Sequence, residues 1–266
     1  MSVRRVALLG LLATVPVACL SAVAGCREAG PCGLALGAGS SWWPAAFEPA
    51  LVFTLVLVAA SVLKLAITVV RTSRALGRLQ RIPVPPKLMR ISAAAGIRRI
   101  ECVAADSASA FCTGVLRPTV FISSGALATL TDPELSAVLH HEADHARRFE
   151  PLRRAATDAA TDVLAFLPIV SWWSARRLMR GELQADEVAE RFAGRSALAG
   201  ALFVMTAPAA PLAAFAGHTE LRARRLLGLE IQEPRPSRAL VVTSFVHGSL
   251  ALSIAGCLVE VISALT

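Results

Sequence analysis

The chain has 266 residues, 55% of them hydrophobic, with a mean hydropathy of +0.59 and a formal net charge of +8. Length permits one domain or two, but the apolar excess argues against an ordinary soluble globule and for a membrane protein. The positive charge does not signal nucleic-acid binding, because the basic residues are not interleaved with aromatics and the chain contains no Tyr.

Val6 to Gly25 is an uncharged run of 20 residues, Leu51 to Val70 is a second interrupted only by Lys64, and Ala239 to Val259 is a third, uncharged. Each meets the roughly 20 residues that a hydrocarbon core about 30 Å thick requires. The pattern predicts a mainly α membrane protein with three transmembrane helices, in residues 1–25, 49–70 and 239–260, separated by an external loop 26–48 and a large domain 71–238, with an external tail 261–266. Of the 27 Lys and Arg, 23 lie between Arg71 and Arg238, so the positive-inside rule puts that domain in the cytosol and the protein in the plasma (inner) membrane as a multi-pass chain. The lipid bilayer, with its anionic headgroups, is then the partner of the basic residues at the span ends. Lys64 lies near the cytosolic end of its span and is read as snorkelling, and His247 as a packed polar residue. The segment "VAGC" at 23–26 also reads as a lipoprotein signal with Cys26 lipidated, and Cys26 and Cys32 share a loop in which a disulfide is permitted. No C-x-x-C spacing occurs, so no cysteine zinc site is implied.

Within the large domain, a basic helix from Arg71 to Arg81 is expected to be broken by Ile82 to Pro86, and a short helix to follow over Lys87 to Ala95. Arg98 to Ala105, Ser109 to Gly114 and Pro118 to Ser123 are partly β-branched runs between turn residues and predict a small sheet of three strands. Thr131, Pro133 and Glu134 then give a strong helix start, with a capping box and a proline in the first turn. A second polar helix is expected over Ile169 to Ala193, and an apolar stretch from Ser196 to Gly217 is broken by Pro208 and Pro211.

The first of these polar helices carries "HHEADH". His141 and His145 are four apart, so both imidazoles leave one face about 5 to 6 Å apart at Cβ, a spacing that suits one zinc ion. Glu142 is placed to act on a water without binding the metal itself. His140 and Asp144 are also four apart but lack the intervening glutamate, and are read as solvated or locally hydrogen-bonded. A third ligand is expected from "GELQADEVA", where Glu182 is the candidate and Asp186, one turn on, is suited to orient His141 through its ring N–H. Topology supports the pairing. Val163 to Trp173 is apolar enough to tempt a further span, but one crossing would put Glu182 across the bilayer from His145, and two would need about 40 residues where only 36 separate these ligands. The segment is therefore read as buried or membrane-grazing.

"SAFCTGVLRPTVFISSGAL", "LTDPELSAVLHHEADHARRFEPL" and "FLPIVSWWSARRLMRGELQADEVA" together resemble the M56 membrane metallopeptidases, the BlaR/MecR-type antirepressor proteases, and the neighbouring M48 family of HtpX and Ste24-like enzymes. The resemblance covers about residues 50 to 230. It implies a gluzincin-like zinc protease domain in which His141, His145 and Glu182 bind Zn2+, Glu142 is the general base and Asp186 supports the ligands. "GHTELRARRLLGL" is weakly similar to the M48 "His-Pro … Arg-Ile" segment and makes His218 and Arg225 candidates near the site. Ala143 stands where these families carry a bulky apolar residue, and Thr219 where they carry the proline. The implied activity is endoproteolysis of a cytosolic or membrane-associated protein substrate, a transcriptional repressor or a membrane protein under quality control. A non-proteolytic zinc-binding signalling protein is the competing class. BlaR-type receptors lead to the expectation of an external sensor after the last span. Only Glu260 to Thr266 follow it here, which leaves direct β-lactam sensing unsupported.

Overall fold

A computed structural model describes residues 42–206, 213–229 and 235–265. The first predicted span, Cys26, Cys32 and most of the external loop lie outside the described residues, as do Pro208 and Pro211. The elements in order are α1 (Trp42–Gly77), β1 (Arg81–Ile82), α2 (Pro86–Ala94), β2 (Ile100–Val103), β3 (Ala110–Thr113), β4 (Thr119–Ser123), α3 (Ser124–Thr129), α4 (Asp132–Arg147), α5 (Glu150–Val163), α6 (Pro168–Ala193), α7 (Arg195–Thr206), α8 (Ala213–Leu226) and α9 (Arg238–Leu265). The chain divides into two units, one of Met1–Lys64, Ala159–Trp173 and Pro234–Thr266, the other of Leu65–Asp158 and Ser174–Glu233.

Two helices, α1 over Ala50–Gly77, of which the part up to Lys64 belongs to the first unit, and α9 over Arg238–Gly256 in that unit, are long and apolar enough to cross a membrane. Both helices exceed the predicted spans. Trp42–Glu48, expected as external loop, is already helical, since Pro44 sits in the first turn where its missing N–H costs nothing. The expected tail continues α9 to Leu265. Lys64 pairs with Asp162 at 2.9 Å, and His247 Nδ1 lies 3.0 Å from the carbonyl oxygen of Phe166.

The second unit is built on a sheet of order β1-β2-β4-β3, with β2 and β4 parallel and the outer pairs antiparallel. The sheet has four strands where three were expected. Arg81 and Ile82 extend against Cys102 and Val103 because the following prolines forbid helix, which ends the basic helix at Gly77. β4 is central, and its run Val120, Phe121, Ile122 is buried on both faces. Val120 and Ile122 pack with Leu88, Leu135, Val138, Leu139 and Ala143, which seats α2 and α4 on one face of the sheet.

Each fully buried aliphatic side chain of this kind stabilises by roughly 1.5–3 kcal/mol. β3 occupies the edge. Gly114 ends it at φ +108°, and a Cβ there would collide with the Arg117 carbonyl, so the turn to β4 closes only with glycine. Ser123 caps α3 through Ala126 N–H and also binds Ser107 O and Ser109 N–H, fixing the loop that delivers β3.

α4 begins as its sequence demands. The Glu134 carboxylate accepts from the Thr131 backbone N–H at 2.8 Å and from its hydroxyl at 2.7 Å. α7 comes close enough to that carboxylate that a Cβ on Gly200 would strike it. At the other end, Arg148 bonds Asp144, Gln184 and the Gly181 carbonyl, holding α6 beside α4.

Candidate metal centre

The register of α4 puts His141 and His145 on one face, and both are buried. Their Nε2 atoms face each other at 3.1 Å with the rings edge to face. α6 brings Glu182 opposite, its two carboxylate oxygens 3.5 Å from His141 Nε2 and 3.6 Å from His145 Nε2. These three side chains present one ligand atom each within 4.8 Å of one another, positioned to hold a metal ion. One turn along α6, Asp186 Oδ1 lies 2.9 Å from His141 Nδ1. A carboxylate there fixes the ring so that Nε2, not Nδ1, offers its lone pair.

Electrostatics follow from burial and these contacts. Burial opposes charge on His141, but the bonds to Asp186 and Glu182 outweigh it and raise the imidazole to about 9. His145 is pushed down to about 3 by burial and then by the positive charge of His141. Glu182 is drawn down to about 2, against its own burial, by His141 first and then by His145 and Arg222. Glu142 is raised, chiefly by burial, which favours its protonated form. The backbone of Cys112, on the edge strand β3, lies near the Glu142 carboxylate and favours its charged form, so that strand borders the site. The Cys112 thiol is pushed up to about 12 by burial and by Glu142, and is no nucleophile at neutral pH.

Residues 87–216 match the family model of peptidase family M48. The matched stretch contains both histidines, Glu142, Glu182 and Asp186, and it supports a metallopeptidase of the M48 type. No curated protein sequence matches the chain.

Arg222, beyond the matched stretch, was not singled out from the sequence. Its Nε and Nη2 donate to Asp186 Oδ2 and Oδ1 at 2.8 and 2.7 Å, and Nη1 lies 3.5 Å from Glu182 Oε2. Asp186 is almost fully buried, and its bond to His141, then this bidentate pair, hold its carboxyl below the usual carboxylate range against that burial. Arg225, the residue expected here, instead donates to the Leu183 carbonyl at 2.6 Å and lies 4.0 Å from Glu190, so it ties α8 to α6 away from the ligand atoms. Both arginines share a face of α8, three residues apart, and only the partner on α6 separates their roles. His218 is carried on α8, and its side chain lies outside the described residues. His140 and Asp144 are buried, not solvated: His140 stacks on Phe192 at 4.4 Å and Asp144 pairs with Arg148.

Proposed function

We propose that the chain is an integral-membrane zinc endopeptidase whose site faces the cytosol and cuts an extended segment of a protein substrate. The observation that carries this reading is the donor set. In a tetrahedral zinc site with bonds of about 2.0–2.2 Å, the ligand atoms stand about 3.3 Å apart. The separations of 3.1, 3.5 and 3.6 Å among His141 Nε2, His145 Nε2 and Glu182 fit that figure. Three protein ligands leave a fourth position for chemistry, as catalytic rather than structural zinc requires.

Bound there, zinc supplies a Lewis acid that polarises the scissile carbonyl and acidifies a water. Glu142, buried on α4 beside the ligand His141, would act as the base toward the attacking water. The same carboxyl then returns the proton to the leaving amine. Asp186 holds the His141 ring in the ligating tautomer, and Arg222 braces Asp186 with two parallel bonds. The substrate lies along edge strand β3, whose exposed main chain is suited to pair with an extended peptide. The two long apolar helices support membrane attachment, and the basic residues flanking them support the cytosolic orientation. The M56 resemblance favours regulated cleavage of a repressor.

Replacing Glu142 with Gln tests the reading. The variant is expected to bind zinc as the native chain does, measured by metal analysis of the purified protein, while fragments seen in cells with the native chain disappear. Unchanged fragment patterns with zinc retained reject proteolysis.

A further inference from the structure

We infer that Ala159–Trp173 is a re-entrant hairpin whose docking partner is the hydrocarbon of the inner leaflet, entered to about half the bilayer thickness and left on the same side. This rests on the membrane reading proposed above. The unit that contains the hairpin also contains α1 up to Lys64 and α9, and polar contacts among the described residues join them. Lys64 of α1 pairs with Asp162 on the descending arm at 2.9 Å. His247 Nδ1 donates to the Phe166 carbonyl at the tip, 3.0 Å away. Ser244 Oγ accepts from the Ile169 N–H on the returning arm at 2.9 Å.

The depths of these contacts agree although they come from two different helices. Lys64 lies seven residues before Arg71, and Ser244 and His247 lie six and nine residues after Arg238. At 1.5 Å per residue, those positions are about 10, 9 and 14 Å inside the basic ends. The hairpin therefore descends past about 10 Å at Asp162, turns near 14 Å at Phe166 and rises to about 9 Å at Ile169, in a core about 30 Å thick. A surface-lying segment would meet both helices at one shallow level.

The chemistry of the turn points the same way. In water, a loop carbonyl and N–H need no protein partner. Inside hydrocarbon each unsatisfied group is costly, and non-helical backbone persists there only when protein satisfies it. The Phe166 carbonyl and the Ile169 N–H are both met by side chains of an otherwise apolar helix, and Pro168 at the turn has no N–H to satisfy. One residue after His247, Gly248 lets the tip approach: a Cβ there would stand 3.3 Å from Leu167 Cδ2. Asp162, the one acid on the segment, is matched by Lys64, the one charge in the second apolar run.

Three exposed alanines read the topology: Ala156 on the descending side, Ala165 at the tip and Ala175 on the returning side. Each is replaced singly with Cys in the full chain, in sealed vesicles, and labelling by a membrane-impermeant maleimide is read peptide by peptide, so that the native cysteines do not interfere. Ala156→Cys and Ala175→Cys are expected to label from the cytosolic side only. Ala165→Cys is expected to lose labelling from either side until the membrane is dissolved. Labelling of Ala165→Cys in intact vesicles, or of the two flanking sites from opposite faces, overturns the hairpin. A charge swap gives an independent check: Lys64→Asp and Asp162→Lys each lower the thermal stability of the chain in micelles, and the double variant restores it. No rescue overturns the assigned pairing. Release of the native chain from membranes by alkaline carbonate removes the membrane reading itself, a result distinct from retention with a labelled tip.

Discussion

Helix α4 carries two histidine-containing pairs at the same helical spacing, one residue out of register, and they end in different chemistry. His141 and His145 meet Glu182 and Asp186, whereas His140 meets the flat ring of Phe192 and Asp144 meets Arg148. Both pairs are buried, so burial does not separate them. The facing residues do: a carboxylate opposite two imidazoles makes a cation site, and an aromatic ring opposite one imidazole makes a packing contact. Spacing on one helix proposes ligands, and the second helix selects among them.

The largest effect expected from breaking this comparison is at Glu182. Glu182→Ala leaves two imidazoles with no acid between them and is expected to abolish stoichiometric metal retention and activity together, measured by metal analysis after dialysis. A variant that keeps its metal would mean that the register of α4 alone makes the site.

Next come the residues that act through His141. Asp186→Asn keeps an acceptor but loses the charge that orients the ring, and metal affinity is expected to fall about 10–100-fold in a competition titration. Arg222→Gln leaves Asp186 ionised and buried without its bidentate partner, so the apo chain is expected to lose about 3–5 kcal/mol of stability to denaturant. Arg225→Gln, which removes a bond to a backbone carbonyl, is expected to cost less and to leave metal affinity unchanged. Equal effects of the two arginine substitutions on affinity would erase the distinction drawn between them.

The start and face of α4 were readable from its N-terminal cap and spacing, and so were its candidate ligands, because those signals lie within a few residues of one another. β1 was not, since two residues carry no periodicity and its partner strand begins 18 residues later. Arg222 was hidden among three nearby arginines, Arg222, Arg224 and Arg225; Arg224 pairs with Glu220 on its own helix, and no local pattern encodes the targets of Arg222 and Arg225 on α6 about 40 residues away. The burial of His140 was missed for the same reason, its stacking partner being Phe192 on another helix. What was legible is local geometry, and what was not is the choice of neighbour made by tertiary packing.

A smaller, graded effect comes from the proton that the metal must displace. In the metal-free chain His141 is raised to about 9 by Asp186 and Glu182 against its burial, while His145, lowered to about 3, carries no proton at neutral pH. One proton therefore leaves on metal binding, and affinity is expected to rise about tenfold per pH unit up to about pH 9 and then level off. The stability sign is the reverse for the apo chain. The protonated His141 contributes fully below its unfolded value near 6.5, and that contribution is lost as pH rises through about 9. The gap in melting temperature between metal-loaded and chelated protein should widen from pH 6.5 to 9, and a constant gap would mean that His141 is not the displaced site.

The smallest effect is expected on the other face of α4, where the comparison predicts that nothing metal-related happens. His140 is buried with Nδ1 unpartnered among the described residues, and its ring lies 4.4 Å from Phe192 at an interplanar angle of 5°. His140→Phe keeps the stack and removes a buried polar atom, at the cost of a slightly larger ring. These oppose each other, so stability should change by less than about 1.5 kcal/mol in a denaturant titration. Metal content should not change at all. Loss of metal in this variant would mean that the two faces of α4 are not separable and that the packing of Phe192 sets the approach of α6 on which Glu182 depends.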